Sequence, residues 1–156
     1  GRLARHDPRP DIRCDSYRVR DMIKPEITAI IERDAYTRFL GASVEAIDSG
    51  YSRVSLIVTE SMLNFHGITH GAVVFGLGDI AFAAASNSHG QKAVALNVSV
   101  TFLRATKAGD HLIAEAKEVS RGGATALYDI IVTEKASNEL VARSQALVYR
   151  KREALA

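Results

Sequence analysis

Asn64-Phe65-His66-Gly67-Ile68-Thr69-His70-Gly71-Ala72-Val73-Val74-Phe75-Gly76-Leu77-Gly78-Asp79 is the stretch that decides the fold. A polar, glycine-containing turn runs straight into an almost wholly apolar segment, Ala72 to Ala85. The spacing predicts a helix over His70–Asn87 whose apolar residues go all the way round, so that it is buried on every side. Gly71, Gly76 and Gly78 weaken its intrinsic propensity and make sense where another backbone packs close against it. Asp79 is the only charge in the segment. A carboxylate in such surroundings is costly to bury unless it is paired, hydrogen-bonded or put to use. Two readings follow: Asp79 bonds a neighbouring backbone group and holds the fold, or it is a working group.

Outward from this helix the patterns are clear. Pro25–Leu40 reads as a helix, with Pro25 in the first turn, Ile27, Ile30, Ile31 and Ala35 at helical spacing and Gly41 to end it. Ala42–Asp48 and Tyr51–Thr59 read as two strands about a turn at Ser49-Gly50. After Gly90 the pattern turns to strands: Ala93–Leu103, His111–Ser120, Ala126–Thr133 and Leu140–Arg150. Gly109-Asp110, Gly122-Gly123 and Ser137-Asn138 make the turns between them. An antiparallel sheet curled round one apolar helix satisfies this order.

Length and composition set the bounds. A chain of 156 residues is most simply one domain with a proper core. Residues 1–21 contain Pro8, Pro10 and six Arg among few apolar residues, so they read as a tail, partly disordered or draped over a neighbour, with the domain over 22–156. Net charge is +2, and residues 1–23 carry it with six Arg and four Asp. The rest balances at fourteen basic and fourteen acidic side chains. A body without net charge, with 6% aromatic residues, argues against nucleic-acid binding. No apolar run reaches membrane-spanning length. The N-terminus has no apolar core of the signal-peptide kind, and the lone Cys14 excludes an intrachain disulfide, which together point to the cytoplasm.

Asn64, Gly67, His70 and Gly71, followed by Asp79 nine positions after the His, resemble the pattern of hot-dog acyl-CoA thioesterases of the phenylacetate-degradation (PaaI-type) branch. Asp79-Ile-Ala-Phe-Ala-Ala-Ala-Ser-Asn87, Phe102-Leu-Arg104 and Gly109-Asp110 are similar to that branch as well. The resemblance covers about residues 40–150. Ala72 departs from it where a second glycine is usual. Ala83 departs where some relatives carry a threonine.

The resemblance implies an α+β hot-dog fold, a curved antiparallel sheet wrapped around one central buried helix, and an enzyme that hydrolyses an acyl- or aryl-acyl-CoA. It implies that the Gly71 N–H, at a helix N-terminus that favours an anion, polarises the thioester carbonyl. It implies that Asp79 acts as base or nucleophile, and that Asn64 orients the water or carbonyl. Gly71 and Asp79 lie about 12 Å apart along one helix at 1.5 Å per residue. They cannot meet one substrate atom within a subunit, and the family's answer is a homodimer, or dimer of dimers, with the site at the interface. No metal or redox cofactor is implied, and coenzyme A enters only as part of the substrate.

Other readings stand beside these. Asn64 is also an ordinary turn former. His66 and His70 invite a metal reading, but no third ligand of suitable type and spacing accompanies them. His70 more simply fixes the loop by hydrogen bonds. Arg104, Lys107, Arg121 and Gly122 are candidate CoA contacts, and the three cations are equally well explained as solvated charge. A non-catalytic acyl-CoA sensor and a hydratase using His70 with Asp79 are the rival functions.

Overall fold

The computed structural model describes residues 23–156, so the expected tail over 1–21 and the start of the domain at Met22 lie outside the described residues. Six antiparallel strands form one sheet: β1 (Ser43–Asp48), β2 (Tyr51–Ile57), β3 (Gln91–Phe102), β4 (His111–Arg121), β5 (Thr125–Glu134) and β6 (Leu140–Ala154). Their order is β1-β2-β4-β5-β6-β3, which leaves β1 and β3 as the edges. Helix α1 (Pro25–Ile31) and helix α2 (Ala35–Leu40) precede the sheet, and helix α3 (Gly71–Asn87) follows β2. This is the α+β hot-dog arrangement that the sequence resemblance implies.

Six strands at about 4.8 Å spacing span about 24 Å, twice the width of a helix with its side chains. Yet α3 touches all six. The sheet therefore curls round the helix. The strands alternate as their sequences suggest: Val54 and Leu56 on β2, Leu112, Ala114 and Ala116 on β4, and Tyr128, Ile130 and Val132 on β5 are all buried. Leu77, Ala81 and Ala85, at four-residue spacing on α3, meet that face with no exposed surface. Phe82 packs edge-on against Tyr128, with ring centroids 5.5 Å apart. The Ser52 hydroxyl donates to the Ala81 carbonyl at 2.5 Å, which fastens β2 to the helix at mid-length.

Three expectations need correction. Pro25–Leu40 is two helices, because Asp34 leaves the helical conformation (φ −56°, ψ 123°) and caps a new one: its carboxylate accepts from the Thr37 N–H and the Thr37 hydroxyl, both at 2.7 Å. Gly41 does end it, in the left-handed region at φ 75°. The helical glycines admit side chains, not another backbone. Phe102 lies on Gly71, Tyr36 on Gly76, and Ile130 with Val132 on Gly78. Finally, α3 is not buried all round: Ala72, Phe75 and Ala83 are exposed and Asp79 is half-buried. These four residues, spaced three, four and four apart, form one uncovered stripe.

Leu77 sits where the sheet closes on the helix, so Leu77→Ala should cost about 2–5 kcal/mol, the range for a buried leucine cavity. Denaturant unfolding checks this; a loss under about 1 kcal/mol would mean the sheet collapses freely onto α3 and does not clasp it.

Candidate active site

The loop that enters α3 is held by its own polar groups. The Asn64 side-chain oxygen accepts from the His66 N–H at 2.9 Å and the Ile68 N–H at 3.4 Å. Gly67, at φ 75°, donates its N–H to the Asn64 carbonyl at 2.9 Å. Asn64 thus builds the turn, and its amide NH2 finds no acceptor among the described residues. The next turn is anchored by the Thr106 hydroxyl donating to Thr69 at 2.6 Å and by the His70 N–H donating to the Met62 carbonyl at 2.8 Å.

His70 caps α3. Its Nδ1 accepts from the Ala72 N–H at 3.0 Å, which places the ring proton of neutral His70 on Nε2. The Val73 and Val74 N–H groups turn back to the His70 carbonyl at 2.9 and 3.4 Å. Of the first-turn donors only the Gly71 N–H finds no acceptor among the described residues. A free donor at the positive end of a 17-residue helix is a ready anion site. The cap engages Nδ1 of His70, as the loop-fixing reading of this residue expects. No His, Cys, Asp or Glu cluster of three with metal-binding geometry occurs among the described residues.

Asp79 stands on the uncovered stripe, in the wall of a cavity of about 630 Å3 between α3 and the α1–α2 hairpin. Among the described residues nothing donates to its carboxylate and no cation pairs with it. The reading in which Asp79 bonds a backbone group to hold the fold is therefore not what the geometry shows. Burial pushes its pKa up, and the Asp34 carboxylate pushes in the same direction. Asp34 lines the same cavity. The helical spacing that runs across Pro25–Leu40 hides Asp34 in the sequence; its one local signal is Asp34 three residues before Thr37, the spacing of a side-chain cap. Tyr36, also in that wall, had no sequence signal at all.

The four candidate CoA contacts are not brought together within the protomer. Arg104 and Lys107 line a cavity of about 450 Å3 with Ile68 and Thr106, beside the entry to α3. Arg104 is paired there with Glu139. Arg121 and Gly122 lie at the far end of α3. Arg121 donates to Nδ1 of His89 at 2.8 Å, and the Gly122 carbonyl accepts from Arg150 at 2.8 Å.

No described helix is long and apolar enough to cross a membrane. Known proteins share this arrangement. The thioesterase superfamily model matches residues 66–141, which span the loop, α3 and the strands after it. A protein of Archaeoglobus fulgidus, named provisionally as an esterase, is 36% identical over 140 residues, 90% of each chain. The acyl-coenzyme A thioesterase PaaI of Escherichia coli is 41% identical over 107 residues, 69% of this chain and 76% of that one. The structure of the E. coli PaaI protein, from the phenylacetic acid degradation operon, superposes with a TM-score of 0.78 over 81% of this chain and 91% of that chain, at 37% identity. A Streptococcus mutans protein solved bound to acetyl CoA superposes with a TM-score of 0.68 over 70% of this chain and 88% of that chain, at 28% identity. Identity at this level over nine-tenths of both chains, with the same sheet and helix, means that the chain belongs to the thioesterase superfamily, as a hot-dog thioester hydrolase of the PaaI-like branch.

Proposed function

We propose that this protein hydrolyses acyl-CoA thioesters to the free acid and CoA. The observation that carries the proposal is Asp79: a half-buried carboxylate with no partner among the described residues, in the wall of a cavity lined by more apolar than polar side chains, on the one stripe of α3 that the sheet leaves open. Such a group is held ready for a proton or a carbonyl carbon. In the base form of the mechanism, Asp79 takes a proton from water as the oxygen attacks the thioester carbonyl. The negative charge passes to the carbonyl oxygen and is met by a Gly71 N–H. The C–S bond then breaks, and the proton goes to the departing thiolate. In the nucleophile form, Asp79 attacks first, CoA leaves, and water opens the resulting anhydride. Both need the same carboxylate. In this reading the Asn64 amide holds the water or the carbonyl.

The Gly71 N–H comes from a second copy. The support is at the β3 edge, a 12-residue strand that exposes Val94, Leu96 and Phe102, with Leu103 just beyond it; Leu96 is 57% exposed. A long apolar edge invites pairing. Two such edges side by side bring two α3 helices together, so that Asp79 faces Gly71 of the partner subunit. We extend this to a dimer of dimers. Arg104, Lys107, Arg121 and Gly122 would meet CoA from two subunits, since one protomer separates them. No metal or redox group takes part, and a chain with one cysteine fits a reducing cytoplasm.

Asp79→Asn should be folded and at least about a hundredfold slower, the scale of a lost acid–base group. The folded state favours the protonated carboxyl. Asp79 therefore adds stability at acid pH, and this contribution is lost as pH rises through its raised folded pKa. At neutral pH the charge is a cost, and the Asn variant should melt higher than wild type. Turnover and melting temperature on one sample check both; normal turnover, with or without a stability change, would reject Asp79 as the catalytic group.

Asp34→Asn can still cap α2 but no longer opposes the ionisation of Asp79. The acid limb of the kcat/KM profile should move to lower pH while staying above an ordinary carboxylate's, because burial remains the larger cause. A pH–rate series on the two proteins reads the shift; an unmoved limb would mean Asp34 does not act on the base.

A further inference from the structure

Resting on the acyl-CoA reading above, we infer that Tyr36, laid across Gly76, is the specificity-determining residue of the acyl compartment, closing it toward the N-terminal end of α3 and leaving an apolar groove over Ala83. The cavity beside Asp79 is walled by α1 and α2 on one side and α3 on the other. Its lining is mainly apolar, with Ile30, Ile31, Val44 and Ile80 among the side chains, so it takes an apolar acyl group. Along α3 the two directions from Asp79 differ. Gly76, three residues before it, shares its face and is covered by Tyr36. A methyl group placed on Gly76 would sit 2.8 Å from the Tyr36 hydroxyl oxygen. Ala83, one turn after Asp79, is exposed, and beyond it the cavity runs on to Asn87 and Leu155.

An acyl group whose carbonyl carbon stands at Asp79 is therefore turned toward Ala83 and stopped by the phenol ring in the other direction. Only a glycine at position 76 leaves the ring this seat. Tyr36 itself is 46% exposed and stacks on Phe39 with centroids 6.1 Å apart, so α2 does not need the ring for its core. Tyr36 makes no hydrogen bond among the described residues, so its contribution is its shape.

The test is kcat/KM across straight-chain substrates from acetyl-CoA to palmitoyl-CoA, with phenylacetyl-CoA added, for wild type and variants checked by circular dichroism. Tyr36→Ala should shift preference toward the longer or bulkier acyl groups by at least about tenfold, the scale set by freeing apolar volume in a pocket. Tyr36→Leu gives a smaller shift in the same direction, should the alanine variant fold poorly. Tyr36→Phe should keep the wild-type profile, because the ring remains. Gly76→Ala should alter the profile in wild type but partly restore it in Tyr36→Ala, where the methyl enters vacated space; the two changes are then non-additive. Binding constants of the same acyl-CoAs to Asp79→Asn read the compartment without turnover. An active wild type whose profile is unchanged in Tyr36→Ala and Tyr36→Leu overturns the role of Tyr36 and leaves the hydrolase reading intact. A wild type that releases CoA from none of the substrates overturns the hydrolase reading, and Tyr36 then falls too if the binding profile of Tyr36→Ala in the Asp79→Asn background matches that of Asp79→Asn alone.

Discussion

A helix as apolar as α3 has to be covered, and six strands curling round it cover most of its circumference but not all. What they leave is the stripe Ala72, Phe75, Asp79 and Ala83. Burying the rest fixes the helix against rotation, because Leu77, Ala81 and Ala85 can face only the sheet. Asp79 is thereby held at one angle, toward the α1–α2 hairpin and its cavity, with no hydrogen bond to its carboxylate among the described residues. The carboxylate is positioned by hydrophobic packing alone. That arrangement leaves its lone pairs without a donor among the described residues, and it costs some stability at neutral pH.

The entry to the helix follows the same division of labour. His70 supplies the cap, Asn64 and Gly67 make the turn, and the Thr69–Thr106 bond ties the loop to the segment before β4. Each consumes a donor or acceptor that an unstructured loop would show to water. The Gly71 N–H is left over by this accounting among the described residues, at the positive end of the helix, where an anion is favoured. The Gly71 N–H and the Asp79 carboxylate, both without partners among the described residues, lie two turns apart, and the apolar edge of β3 offers the means of bringing copies of them together.

Much of this was legible in the chain. The strands were readable because one face is buried and one is not, so Val54 and Leu56, or Tyr128, Ile130 and Val132, repeat at period two. Asp79 stood out because a lone charge interrupts an apolar helix. The uncovered stripe was not readable, since Ala72, Phe75 and Ala83 are themselves apolar and look like core. The break before α2 was hidden because Ile30, Ile31 and Ala35 keep helical spacing across it; only the Asp34–Thr37 pair marks it. Tyr36 on Gly76 and Phe102 on Gly71 are contacts between distant segments, and no local pattern encodes them.

The central claim is that one site takes Asp79 from one subunit and the Gly71 N–H from the other. Gly71→Pro removes that N–H at the first helical position, where proline is accepted, and His70 already has the extended backbone that a following proline requires. The most direct measurement is acyl-CoA turnover after Asp79→Asn and Gly71→Pro subunits, each inactive alone, are unfolded and refolded together. A shared site predicts recovery of about a quarter of wild-type activity, because about half the dimers are mixed and each holds one intact site. No recovery, with mixed dimers demonstrated by mass, would place both groups in a single chain and contradict the account.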